Sequence, residues 1–163
     1  ALTAVIQSIG LPQLVTGPLV NTMLFLTALM LNWQSAVLVG IFSPLMALIR
    51  GLLPPFLAPL AGFIALANAV LVVAFSILNK PGSGMFSSAT ILKQAAAVAG
   101  ASVLKFITLA ITVTSILPVL LDREIPQQLI SAMMLPQLLT ALAGGGLALI
   151  LNKKIKKIYF FGN

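Results

Sequence analysis

An apolar run from about Ala95 to Leu121 is long enough to cross a lipid bilayer as a helix, and it carries Lys105 near its middle. A spanning helix needs about 20 predominantly apolar residues. A lysine at the centre of such a helix costs roughly 2.5 to 3.5 kcal/mol on insertion scales, so it normally faces a bundle interior or a cavity. No other apolar run contains an acidic residue that could pair with it. The run therefore predicts a membrane helix whose lysine marks a functional site.

Composition places the whole chain among integral membrane proteins. Its 163 residues are 60% hydrophobic and 7% charged, whereas about 25% of the residues in soluble domains are charged. At about 20 residues for each span plus short loops, a chain of 163 residues has room for five or six helices. It has no room for a domain outside the membrane.

Prolines, glycines and polar clusters divide the chain into six predicted spans. They cover residues 1–11, 17–31, 35–49, 58–78, 88–117 and 127–151, followed by a basic tail at 152–163. The first stretch is too short to cross alone, and because it begins with Ala1 we expect either removal of an initiator methionine or loss of an N-terminal portion. In this scheme Thr16-Gly17-Pro18 opens the second helix and Pro118 ends the fifth. The predicted fold is one all-α transmembrane domain, a six-helix bundle.

Basic residues determine the predicted orientation. Four lysines and three aromatic residues follow the last apolar run: Lys153, Lys154, Lys156, Lys157, Tyr159, Phe160 and Phe161. This order is typical of a cytoplasmic helix end anchored beside anionic lipid. The net charge of +7 therefore indicates membrane lipid, and not nucleic acid, as a partner. We predict a multi-pass protein of the cell membrane with a cytoplasmic C terminus, which places Lys80 inside and Arg50 outside.

Polar residues of three predicted spans fall at nearly one depth. Counted at 1.5 Å per residue from the predicted outer helix ends, Asn68, Lys105 and Gln137 lie about 15 to 18 Å below the surface. Thr108 follows Lys105 by three residues and Thr140 follows Gln137 by three residues, so each threonine shares a helix face with its partner. A second polar group stands at the outer rim, around the break between the first two helices and at the end of the third. The candidate substrate-binding residues are Lys105, Asn68, Gln137, Thr140, Thr108, Asn21 and Arg50.

Each of these residues has a simpler structural interpretation. The amides and hydroxyls are also suited to interhelical hydrogen bonds, each worth about 0.6 to 2 kcal/mol. Lys105 is also able to bond to backbone carbonyls or to extend to the headgroups. Arg50 equally suits the anchoring of a helix end.

The missing residue types exclude several kinds of chemistry. The chain contains neither cysteine nor histidine, which removes thiolate metal sites, thiol redox chemistry and the commonest general base. The only acidic residues, Asp122 and Glu124, lie in a loop. We therefore expect no enzyme, no metal and no cofactor. The chain also has no phosphate-binding loop, so uphill transport would need energy from another protein.

The layout resembles the substrate-binding S components of energy-coupling factor (ECF) transporters, small prokaryotic membrane proteins that capture vitamins and other micronutrients. The resemblance covers most of the chain, from about Ala1 to Leu151. It is carried by Leu11-Pro12-Gln13, Thr16-Gly17-Pro18-Leu19-Val20-Asn21, Ser43-Pro44-Leu45, Arg50-Gly51-Leu52-Leu53-Pro54-Pro55, Phe63-Ile64-Ala65-Leu66-Ala67-Asn68 and Pro136-Gln137-Leu138-Leu139-Thr140.

The resemblance implies binding without chemistry. A small-molecule substrate would enter from outside, and the subunit would dock on a transmembrane coupling subunit served by two ATPase subunits. The family often carries Ala-x-x-x-Ala in the first helix for that docking, where this chain keeps the spacing only with Ala4 and Ser8. The alternative function is a small structural or assembly subunit of a larger membrane complex, in which the polar residues serve helix packing alone.

Overall fold

A computed structural model describes residues 13–51, 58–79, 88–122 and 124–161 of the chain. Its helices are α1 Gln13–Met30, α2 Trp33–Ile49, α3 Ala58–Leu78, α4 Ser88–Ile111, α5 Leu117–Leu121, α6 Gln127–Met133 and α7 Leu135–Phe161, and a π-helical turn, Thr112–Ile116, joins α4 to α5. The all-α prediction is confirmed for these ranges. The first predicted span and the Ala4/Ser8 pair lie outside the described residues, so a count of six helices stays a prediction.

Among the described residues, three stretches are long and apolar enough to cross a membrane. They are Ala58–Leu78, Ile91–Leu121 and Gln127–Ile158, and two shorter apolar helices, Val15–Met30 and Trp33–Ile49, accompany them. These lengths are those of a multi-pass membrane protein.

The helix α1 begins earlier than Thr16-Gly17-Pro18, which was predicted to open it. It starts at Gln13 and carries Pro18 inside. A proline within the first turns of a helix removes a backbone hydrogen bond but fixes a helical φ angle. Thr16 and Gly17 are therefore helical residues, and Gly17 packs directly on the side chain of Thr140 in α7.

The predicted helix stop at Pro118 is wrong, because the chain stays helical to Leu121. The π-turn explains how the proline is accommodated. The N–H of Leu117 bonds to the carbonyl of Thr112, five residues back, so the hydrogen-bond pattern is already shifted where Pro118 provides no N–H. The helix ends at Asp122, which adopts a left-handed conformation with φ 48°.

The last predicted span is two helices. Met134 leaves the helical region, with φ −96° and ψ −114°, and separates α6 from α7. Pro136 follows at the second position of α7, where a missing N–H costs nothing. Gln137 therefore lies in the first turn of the long helix α7 and not in the middle of a continuous span.

Five helices form a closed ring in the described part of the chain. The helix α1 packs on α2, α2 on α3, α3 on α4, α4 on α7, and α7 on α1. Two apolar clusters fill the interior. The first, here called the aromatic layer, surrounds the edge-to-face ring pair of Phe25 and Phe75 at 4.9 Å and also contains Leu24, Ala36, Leu71, Val72, Ala97, Val98, Ala101 and Ala148. The second contains Leu60, Val113, Leu117, Ile125 and Met133.

Candidate functional site

The side chain of Lys105 lies inside the ring and joins three helices. It is 3% exposed. Its Nζ donates to Oδ1 of Asn21 in α1 at 2.7 Å and to Oδ1 of Asn68 in α3 at 2.8 Å. Both asparagines are buried as well. We call these three residues the lysine node; it lies between the two apolar clusters along α3 and α4.

Backbone carbonyls orient both asparagine amides. Nδ2 of Asn21 donates to the carbonyl of Gly17 at 2.9 Å, and Nδ2 of Asn68 donates to the carbonyl of Gly40 at 3.0 Å. Because an amide group has its donors on nitrogen and its acceptor on oxygen, these bonds leave each Oδ1 facing the ammonium group.

The carbonyl of Gly40 is free to accept this bond because of Pro44. In an α-helix the carbonyl of residue 40 would accept the N–H of residue 44, and proline has none. Pro44 lies inside α2, so residue 44 provides no N–H to the Gly40 carbonyl. A helix-interior proline on α2 thus supplies the acceptor that holds Asn68 on α3.

Two glycines let the asparagines approach neighbouring helices. A Cβ atom on Gly40 would lie 3.0 Å from Cβ of Asn68. A Cβ on Gly144 of α7 would lie 2.6 Å from Cβ of Asn21 and 2.7 Å from the carbonyl oxygen of Pro18. A distance of 2.6 Å between the two Cβ atoms is shorter than van der Waals packing allows. The helices α1 and α7 are therefore able to meet beside Asn21 only because residue 144 has no side chain.

The node contains no negative charge. An ammonium group has three N–H donors, and the two asparagines occupy two of them. Within the described ranges Nζ of Lys105 donates no third hydrogen bond. Asp122 and Glu124, the only acidic residues of the chain, are exposed between α5 and α6. A buried charge without a counter-charge is costly, since neutral amides compensate it only in part.

The other predicted site residues do not bond to the node. Gln137 Nε2 lies 3.8 Å from the sulfur of Met133, and Thr140 Oγ1 donates to the carbonyl of Gln137 at 3.1 Å. Thr108 Oγ1 donates to the carbonyl of Leu104 in its own helix at 2.9 Å. Arg50 is exposed at the end of α2. Because α7 begins only after the break at Met134, Gly144 and not Gln137 lies next to Asn21. A binding role for these four residues stays a prediction.

Ser102 is a polar residue of this region that the sequence analysis missed. It lies three residues before Lys105 on α4 and is completely buried. Its Oγ has no hydrogen-bond partner among the described residues. The i−3 spacing from an intramembrane lysine was a readable signal.

Comparisons with protein-family models, with curated proteins and with solved structures found no match to this chain.

Proposed function

We propose that this chain is a membrane-embedded substrate-binding subunit that captures a small organic molecule, with the lysine node as its recognition site. The observation that carries the proposal is the buried ammonium of Lys105, which has two neutral acceptors and no acidic partner in the described part of the chain. A ligand that offers an anionic or carbonyl oxygen would complete the hydrogen bonding of the ammonium group.

The node has the features of a prepared binding site. Its polar groups come from three helices, and each asparagine is held in place by a backbone carbonyl before any ligand arrives. Such preorganisation reduces the entropy that binding would otherwise cost. Apolar side chains lie on both sides of the node, as in small-molecule sites where a few polar groups orient a ligand among apolar walls.

The transporter assignment rests on the sequence resemblance. On this proposal the chain is the S component of an ECF-type transporter, takes up a vitamin or another micronutrient from outside the cell, and keeps its C terminus in the cytoplasm. It performs no chemistry of its own. A transmembrane coupling subunit and two ATPase subunits would supply the energy.

The test is native mass spectrometry of the protein purified in mild detergent. We expect one retained small molecule per chain in the wild type. Lys105→Met should lose this molecule and keep the fold, because methionine fills a similar volume without a donor. Lys154→Met is the matched control, since Lys154 is exposed and should retain the molecule. Equal retention by Lys105→Met and the control would contradict the proposal.

A structural or assembly subunit is the second candidate, and the bonding of the node itself favours it. Lys105 already links α4 to α1 and α3, which by itself would specify how the helices pack. On this alternative the wild type releases no small molecule on denaturation. Lys105→Met should then reduce the amount of a larger membrane complex that is recovered intact.

A further inference from the structure

We infer that the group recognised at the lysine node is a single carboxylate, held jointly by Lys105 and Ser102. The inference deepens the proposed function and rests on it. It names the chemical class of the ligand and adds a binding residue.

The buried hydroxyl of Ser102 is the first observation. Its side chain is 0% exposed, and its Oγ forms no hydrogen bond within the described ranges. A buried polar atom left unpaired is destabilising, so an unpaired hydroxyl three residues from the buried lysine indicates a missing partner.

Helix geometry brings Ser102 to the same surface as Lys105. Residues at i and i−3 share a helix face, and a long helical side chain leans back toward the N terminus of its helix, over the residues at i−3 and i−4. The lysine stem is therefore expected to run back over the helix face that carries Ser102. Both groups point away from lipid, since both residues are buried inside the ring.

The free bonding capacity of the two groups calls for an acceptor. Lys105 has one unused N–H in the described part of the chain, and the hydroxyl of Ser102 has an unused O–H. The asparagine oxygens are already turned to the ammonium, so an additional cation has no acceptor there. A ligand that offers one acceptor oxygen to the N–H and another to the O–H would pair both groups.

Charge balance selects a monoanion. One ammonium neutralises one negative charge, whereas a sulfate or phosphate dianion would leave a net negative charge in a low-dielectric interior, and a neutral amide would leave the ammonium uncompensated. A carboxylate is the organic monoanion with two oxygens, one for each donor.

The test is a titration of the detergent-purified protein with small probes at constant ionic strength, followed by thermal unfolding. The probes are acetate, acetamide, chloride and inorganic sulfate. At equal concentration, a probe that binds the folded state more tightly raises Tm further. The variants are Ser102→Ala, its matched control Ser115→Ala, and Lys105→Met. Ser115 is exposed in the π-helical turn that follows α4. We expect acetate to raise Tm of the wild type and of Ser115→Ala more than the other three probes do.

Ser102→Ala should produce two opposite effects. Without acetate its Tm should rise, because an unpaired buried hydroxyl is removed, and its apparent Kd for acetate should increase about tenfold. Lys105→Met should show no acetate effect. Equal stabilisation by chloride or acetamide, or an unchanged acetate Kd in Ser102→Ala, would overturn the inference. If a bound molecule that depends on Lys105 is nevertheless found by native mass spectrometry, the proposed function stands and only the carboxylate assignment fails.

Discussion

The lysine node and the aromatic layer share the helices α1, α3 and α4 but differ in the interactions that form them. Phe25 follows Asn21 by one turn of α1, and Phe75 follows Asn68 by about two turns of α3. The aromatic layer is stabilised by close packing, which is the main source of helix association in lipid. The node buries a charge whose desolvation offsets most of the energy of its hydrogen bonds. We therefore expect the layer to contribute most of the stability of the bundle and the node to contribute little.

The largest effect should come from opening the aromatic layer. Phe75→Ala removes the ring that packs edge-to-face on Phe25 and leaves a cavity, so we expect a loss of about 3 to 5 kcal/mol in the free energy of unfolding. Equilibrium unfolding in mixed detergent micelles measures this loss of free energy. Ile77→Ala is the control, because Ile77 is exposed and its loss should be far smaller. Equal losses would show that the layer is not the stabilising core.

Part of the node was readable from the sequence. The apolar runs predicted the helices, and the depths counted from the helix ends placed Lys105 and Asn68 at one level, whereas Asn21 was assigned to the outer rim and the Phe25 and Phe75 pair was not predicted. The level assigned to Gln137 assumed one continuous helix, and the break at Met134 depends on local geometry that hydropathy does not record. The missing N–H partner of the Gly40 carbonyl was predictable from Pro44, four residues later in the sequence. The contact of Gly144 with α1 depends on how each helix is rotated about its own axis. The spacing of residues along the sequence does not determine that rotation.

The close approach of α1 and α7 gives the second prediction. Gly144→Ala places a methyl group against Asn21 and the Pro18 carbonyl. We expect a loss of about 3 kcal/mol in the free energy of unfolding, because moving the backbone to relieve the clash is energetically costly. Gly146→Ala adds the same group where nothing lies within 4 Å and should be nearly neutral. The same unfolding assay compares them. A tolerated Gly144→Ala would mean that α1 and α7 are further apart than described.

The third prediction separates the cost of burying the Lys105 charge from the energy of its hydrogen bonds. Asn68→Leu removes one acceptor of the ammonium and the donor to the Gly40 carbonyl, so we expect a loss of about 2 kcal/mol. Adding Lys105→Met should restore part of this loss, because an apolar pair replaces a half-satisfied charge. Additive effects in the double-mutant cycle would show that the two residues do not interact.

The smallest expected effect concerns the bond between α1 and α7. Thr22 Oγ1 lies 2.7 Å from the Pro18 carbonyl of its own helix and 3.1 Å from the Gly144 carbonyl. Thr22→Val should cost about 0.6 kcal/mol, the average for interhelical hydrogen bonds in membranes. Thr27→Val is the matched control, because the bond of Thr27 goes to Met23 in its own helix. A larger loss in the control would contradict the interhelical role.

Solid-state NMR of the protein in liposomes tests the position of the Lys105 ammonium most directly. In protein labelled with ¹⁵N-lysine and ¹³C-asparagine, the signal lost in Lys105→Met identifies Lys105 Nζ. We predict that asparagine Cγ atoms dephase this signal, at distances below about 4 Å given the two hydrogen bonds, and that lipid phosphorus does not. Dephasing by lipid phosphorus, as expected for the lysines of the C-terminal tail, would place the ammonium at the headgroups and contradict the account.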